Sequence, residues 1–218
     1  MEKKYKLTEE SINYCNKTLY RIEALKNFGN VKKGDKGGYV EKEDNLSQEG
    51  DCWISDNAKV FDSAVVSGNA KVYDNAKVCG NTKVFGDAYV YGNALVYNNA
   101  VIYGKAEVFS DAVVYDKVRV FDDAYVCGKV IVCGNAQVCG DAKIKNNSDY
   151  IVFKNWWSSG SHFTWTRNNN MWKVGCFYGT GKELITKAYK DSEISGREYE
   201  RIVNYVETIL QDNKVIED

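Results

Sequence analysis

The chain has 218 residues, with 29 basic and 30 acidic side chains and a formal net charge of −1. That balance gives no overall drive toward extended nucleic acid or an anionic membrane surface, and no apolar run is long enough to span a bilayer. The N-terminus is charged and polar rather than hydrophobic, so a soluble, cytoplasmic protein is expected.

Residues 1–50 read as a non-repeating N-terminal cap. Tyr5-Lys6-Leu7 and Thr18–Leu25 have the character of short strands. Lys33-Gly34-Asp35-Lys36-Gly37-Gly38 reads as a turn cluster. Glycines beside lysines also invite a phosphate-loop reading, but the spacing and the following helix that such a loop needs are missing. The expected task of the cap is to cover the open edge of the first repeating strands.

From Asp51 the chain repeats every six residues. Ile54, Val60, Val66 and Val72 begin a series of sixteen branched aliphatics that runs without a slip to Ile144. Two residues before each stands a small or β-branched residue, as in Cys52, Ala58, Ala64 and Ala70. Gly, Asn and Asp fill the intervals. Six is three strand periods and no helical period. Three hexapeptides therefore make one triangular coil of eighteen residues, with short strands as sides and corners that Gly, Asn and Asp tolerate. Sixteen hexapeptides give between five and six coils, or roughly 25 Å of prism at the strand spacing. Such an array needs caps at both ends.

This pattern resembles the hexapeptide-repeat, left-handed β-helix family, which includes acyltransferases and non-catalytic members. Within it, residues ~1–145 resemble bacterial and phage proteins of the YdcK type, described as acetyltransferases. Leu19-Tyr20-Arg21-Ile22-Glu23-Ala24-Leu25, then Gly37-Gly38-Tyr39-Val40-Glu41 and Asp44-Asn45-Leu46-Ser47, carry that likeness. The resemblance implies a mainly β fold: a left-handed triangular parallel β-helix over residues 51–148, after the cap of residues 1–50. The period is specific for fold and weak for function.

The position after each inward aliphatic is often Gly or an acid in that family. Here it is commonly aromatic. At eighteen residues per coil, Tyr73, Tyr91 and Phe109 fall in one ladder, Tyr97 and Tyr115 in a second, and Phe85, Tyr103 and Phe121 in a third. Such ladders stabilise the stack and place apolar surface near the outside. The family commonly forms parallel trimers, so a homotrimer is expected, with Tyr91, Tyr97, Tyr103, Phe109, Tyr115 and Phe121 at its interfaces. The cysteines show no CxxC pair. Cys127, Cys133 and Cys139 fall on three different faces, and Cys79 and Cys133 share a face three coils apart. They read as reduced, small apolar residues.

After Ile144 the pattern stops, and residues 149–218 read as a small C-terminal α+β module. Tyr150–Phe153, His162–Arg167 and Met171–Phe177 read as strands, the last two joined by Asn168-Asn169-Asn170. Lys182–Lys190 reads as a helix capped by Thr180 or Gly181, and Arg197–Gln211 as a second, amphipathic helix.

Acyl transfer in the resembling family uses a His near a subunit interface as general base, with the acyl carrier in a groove between prisms. The coils here contain no His. The single one, His162, lies outside the repeat, so no transferase residue carries over and a multi-histidine metal centre is not expected. The alternative cluster is aromatic: Trp156, Trp157, Trp165 and Trp172 lie close in sequence with Arg167 and Lys173. Such residues can stack on a base and grip a phosphate, or they can form the core of a small domain. Trp156 and Trp157, being adjacent, cannot both point inward. The residues leave three readings open. The first is a non-catalytic oligomeric β-helix, of a kind also found in phage, whose module sequesters a small nucleotide-like signal and needs no cofactor. The second is an acyltransferase using acetyl-coenzyme A with His162 as base. The third is a structural or polymer-forming scaffold.

Overall fold

The computed structural model describes residues 2–216. Residues 53–144 form sixteen two-residue strands, from Trp53–Ile54 to Lys143–Ile144, in three parallel sheets that make the faces of a prism. The register between neighbouring coils is eighteen residues throughout, as in Lys59↔Lys77 and Leu95↔Val113. Face one carries Lys59–Val60, Lys77–Val78, Leu95–Val96, Val113–Val114 and Ile131–Val132. Face two starts at Trp53–Ile54 and face three at Val65–Val66. The inward aliphatics and the small residues two positions before them are fully buried, forming one continuous core.

The corners explain the Gly, Asn and Asp of the repeat. One backbone position in every six has positive φ, from Asp56, Asp62 and Gly68 to Gly134 and Gly140. Where that residue is Asp, it does more than tolerate the conformation. Its carboxylate accepts the N–H of the corner one coil above, as in Asp62 from Gly80 at 3.0 Å and Asp74 from Gly92 at 3.0 Å. A second corner series runs Asn69 to Asp87 and Asn93 to Asp111, both at 3.0 Å. The aromatic ladders form as expected. Tyr73–Tyr91, Tyr91–Phe109, Tyr97–Tyr115 and Tyr103–Phe121 stack with centroids 4.8–5.0 Å apart and nearly parallel planes.

The lower end is closed by residues 2–50, in a way the sequence only partly indicates. Tyr5–Tyr14 and Lys17–Ala24 form one long antiparallel hairpin, where only Tyr5–Leu7 was expected as the first strand. Its turn residues Cys15 and Asn16 both have positive φ, as a tight hairpin requires. The turn expected through Gly38 is also corrected: Lys36–Val40 is a strand. It pairs with the hairpin on one side and runs parallel to Lys59–Val60 on the other. Its glycines are there for closeness, since a Cβ at Gly37 would lie 2.5 Å from the Ile54 carbonyl oxygen. The downward carbonyls of Ala58, Val60 and Val66 accept N–H groups from Tyr39, Glu41 and Ser47. Asn45 donates its side-chain amide to Ala64, and the buried Lys4 donates to Cys52.

The upper end is closed by side chains. Ile131, Gln137 and Lys143 begin the last strand on each of the three faces. Their N–H groups are accepted by Asn147 Oδ1, Thr164 Oγ1 and Asn168 Oδ1 at 2.9, 2.9 and 2.7 Å. Tyr150 donates its hydroxyl to the Ile131 carbonyl at 3.0 Å.

Residues 150–216 form a four-stranded antiparallel sheet and two helices. The strands are Tyr150–Lys154, His162–Thr166, Met171–Val174 and Phe177–Gly179, paired in chain order. The segment expected as one strand over Met171–Phe177 is thus broken at Gly175, whose φ is +54°. Helix α1 is Gly181–Asp191, with Thr180 as its N-cap and Glu183 completing a capping box. Helix α2 is Glu193–Ile216, longer at both ends than the apolar period indicated. The sheet lies between the last coil and the helices.

Two measurements probe these contacts. Gly92 has φ +69°, and a Cβ there would lie 2.8 Å from the Ser110 nitrogen. Gly92→Ala is expected to destabilise by about 1–3 kcal/mol in denaturant unfolding, and Asn168→Ala, which leaves the exposed Lys143 N–H to water, by about 0.5–1.5 kcal/mol. The second concerns acid. Lys17 bridges Glu41 and Asp62 at 2.9 and 2.8 Å. Burial lifts both carboxyls, but the Lys17 ammonium and backbone N–H groups outweigh it and hold both below their ordinary values. A depressed folded value contributes stability above the ordinary carboxyl range that is lost as pH falls through the depressed one. The unfolding midpoint is therefore expected to drop below about pH 4, and less steeply in Glu41→Gln.

Candidate functional site

The C-terminal sheet alternates, and the alternation distributes the tryptophans. In His162–Thr166, Phe163 and Trp165 face the helices, while Thr164 faces the last coil and caps it. Trp172 and Val174 in the next strand share the helix side. Leu184, Val203 and Val206 close over them. Trp165 and Trp172 are each 2% exposed, and the Trp165 indole N–H donates to Asn170 at 2.8 Å. These two are core, the second of the two roles the sequence left open.

Trp156 and Trp157 do point apart. Trp156 is 78% exposed. Trp157 turns inward, edge-on to Tyr199 at 5.7 Å and tilted against Phe163 at 5.9 Å. Its indole nitrogen is buried with no hydrogen-bond partner among the described residues. The loop that carries both is held by Asn155, whose buried amide bonds Ser158 and Ser159. Lys173 lies on the other side of the sheet from Trp172. Its ammonium sits 5.8 Å from the Phe121 ring, at the joint with the prism.

Arg167 is elsewhere again. It lines a cleft of about 220 Å³ with Tyr150, Ile151, Trp165, Val206 and Leu210. Ion pairs among the described residues do not include it. The six residues therefore do not form one surface. Trp165 and Arg167 share the cleft wall, Trp156 stands in the open, Trp157 and Trp172 support the core, and Lys173 faces the coils. The sequence missed Ile209 and Leu210 as cleft residues, although their place on the apolar stripe of α2 was legible.

His162 opens the second strand, half-buried, with its Nε2 3.4 Å from the side-chain amide of Asn135 in the last coil. It belongs to the joint between prism and module. Cys139 lies nearby. Burial pushes its thiol up to about 12, and burial likewise pushes Cys79 up to about 11. All seven cysteines are free.

Truncations separate these roles. Trp172→Ala is expected to cost about 3–5 kcal/mol of stability in chemical denaturation, while Trp156→Ala stays within about 0.5 kcal/mol of the parent.

Comparison with known proteins bears on the coils. A family model described as the YdcK beta solenoid repeat matches residues 88–104. The uncharacterized acetyltransferase YdcK of Escherichia coli (strain K12) is 39% identical over 72 residues. That match covers 29% of this chain and 22% of the relative's own length. The coiled region of this chain is a hexapeptide-repeat β-solenoid, and over these stretches it is similar to the YdcK solenoid repeat.

Proposed function

We propose that this protein is a non-catalytic scaffold, a β-solenoid that associates with copies of itself and carries a small-ligand site in its C-terminal module. The observation that carries the ligand reading is the Arg167 cleft. Its walls are largely apolar, and it holds one cationic side chain without an ion-pair partner among the described residues. At about 220 Å³ it lies below the ~300–1,000 Å³ common for drug-sized ligands. The nucleotide-like ligand therefore narrows to a smaller molecule with an apolar body and one carboxylate or phosphate.

The assembly reading rests on the upper half of face one. There Leu95, Val113 and Ile131 point outward in three successive coils, beside the Tyr97–Tyr115 stack. Ile131 is 47% exposed. Faces two and three carry charges in the corresponding rows, such as Lys71 and Glu107, or Lys83 and Arg119. An uncharged row on one face only is what a homotrimer built from parallel prisms would use.

Acetyl transfer is the second reading, favoured by the name of the Escherichia coli relative. It assigns His162 as base, acting on acetyl-coenzyme A held between neighbouring chains. Native mass spectrometry separates the readings. The scaffold reading expects a trimer that becomes monomeric in Ile131→Glu, carrying a small adduct that is lost in Arg167→Ala. Release of free coenzyme A from acetyl-coenzyme A, abolished in His162→Ala, would replace it with the transferase. A monomeric parent would remove the assembly reading.

A further inference from the structure

Lys4 lies beneath the first coil with 1% of its surface exposed. Its ammonium donates to the carbonyls of Glu49, Gly50 and Cys52 at 3.3, 3.2 and 3.1 Å. The same nitrogen lies 3.2 Å from Cys52 Sγ. Cys52 is fully buried, and its thiol has the carbonyls of Ser47 and Glu49 as acceptors at 3.6 and 3.5 Å. A thiol donating to either leaves a sulfur lone pair toward the lysine.

The carbonyl contacts account for Lys4 as part of the lower seal. They do not account for the sulfur. Cys52 occupies the inward small-residue position that Ala58, Ala64, Ala70 and Ala76 fill in the following hexapeptides. Alanine meets the packing need there, so the thiol is surplus to the fold. The Lys4 end of the pair borders an opening to solvent, one residue layer from Cys52. An open polar cleft of about 630 Å³, lined by Lys4, Lys26, Asn27, Gln48 and Glu49, adjoins it, and the residues covering the pair, Glu49 and Gly50, are exposed.

We infer that Lys4 and Cys52 are a modification site, at which a peroxide joins the two side chains through a single oxygen atom in an N–O–S bridge. One peroxide oxidises the thiol to a sulfenic acid and leaves as water. After the Lys4 ammonium releases a proton to water, a second peroxide oxidises the free amine to a hydroxylamine and leaves as water. The hydroxylamine oxygen then attacks the sulfenic sulfur, the S–OH bond breaks, and a third water departs. Two peroxides are consumed and three waters form. The protein keeps one oxygen and loses two hydrogens. The bridge ties the first strand of the hairpin to the first coil across 48 residues of chain. It locks the cap on the lower edge when oxidant is present.

The test treats the full-length folded protein with hydrogen peroxide, then applies intact-mass measurement and peptide mapping. A linked peptide pair joining Lys4 to Cys52, heavier than its parts by about 14 Da, is expected. Excess dithiothreitol, attacking the sulfur and breaking the S–O bond, is expected to release it, and the bridged protein is expected to melt higher. Cys52→Ala, which places the residue of the neighbouring hexapeptides at this site, should fold and give no linked pair. Peroxide added after unfolding in urea should give none either, since the bridge depends on the folded approach. Oxidation of Cys52 to sulfinic acid with Lys4 unmodified would overturn the inference. So would an unmodified Cys52 under conditions that oxidise the exposed Cys15 and Cys176, or equal cross-linking in urea.

Discussion

A parallel stack of strands satisfies every backbone group except those at its two ends. The inner coils of this protein close on each other with a repeating eighteen-residue register, so the stack itself is simple. The ends are where the remaining chain is committed. Below, a strand, an asparagine and a buried lysine meet the downward carbonyls. Above, one side-chain oxygen per face meets the upward N–H groups. An unmet buried donor or acceptor costs about 1–3 kcal/mol, so the caps are as necessary as the core they enclose. The C-terminal sheet serves this need before it serves any other, because Thr164 and Lys173 face the prism while Phe163 and Trp165 face away.

That division explains why the tryptophans are dispersed. A two-sided sheet has one side for the prism and one for the helices, and its largest apolar side chains fill the side that the two helices must cover. Trp156 escapes because it follows the first strand, outside the alternation. The open margin of the module is the cleft where α2 meets the sheet beside Arg167. That cleft lies next to the seal of the last coil, since Tyr150 both lines it and donates to Ile131.

The repeat was fully legible in the sequence. A period of six fixed the register, the inward pairs and the three aromatic ladders, because the same spacing restrains every coil and no other contact competes. The cap was legible in purpose and poorly in detail. Gly37 and Gly38 read as a turn, although they are glycines because another backbone passes close to them. The Cys15-Asn16 turn was the missed signal for the long hairpin. In the module, alternation along His162–Thr166 already held the answer for Trp165. The position of Arg167 was not legible, because the cleft is made by α2, which is distant in sequence.

The seal at the upper end also makes the prism an indexing device. Asn147, Thr164 and Asn168 each address a different face, so the module can seat in only one rotational setting relative to the last coil. Loss or gain of a whole eighteen-residue coil would move the module along the axis by about one strand spacing and leave its bearing unchanged. Loss of a single hexapeptide would instead swing it by about a third of a turn, to point in a different direction. Chain length in this architecture therefore sets reach and heading separately, and a lineage can alter either without redesigning the cap or the module.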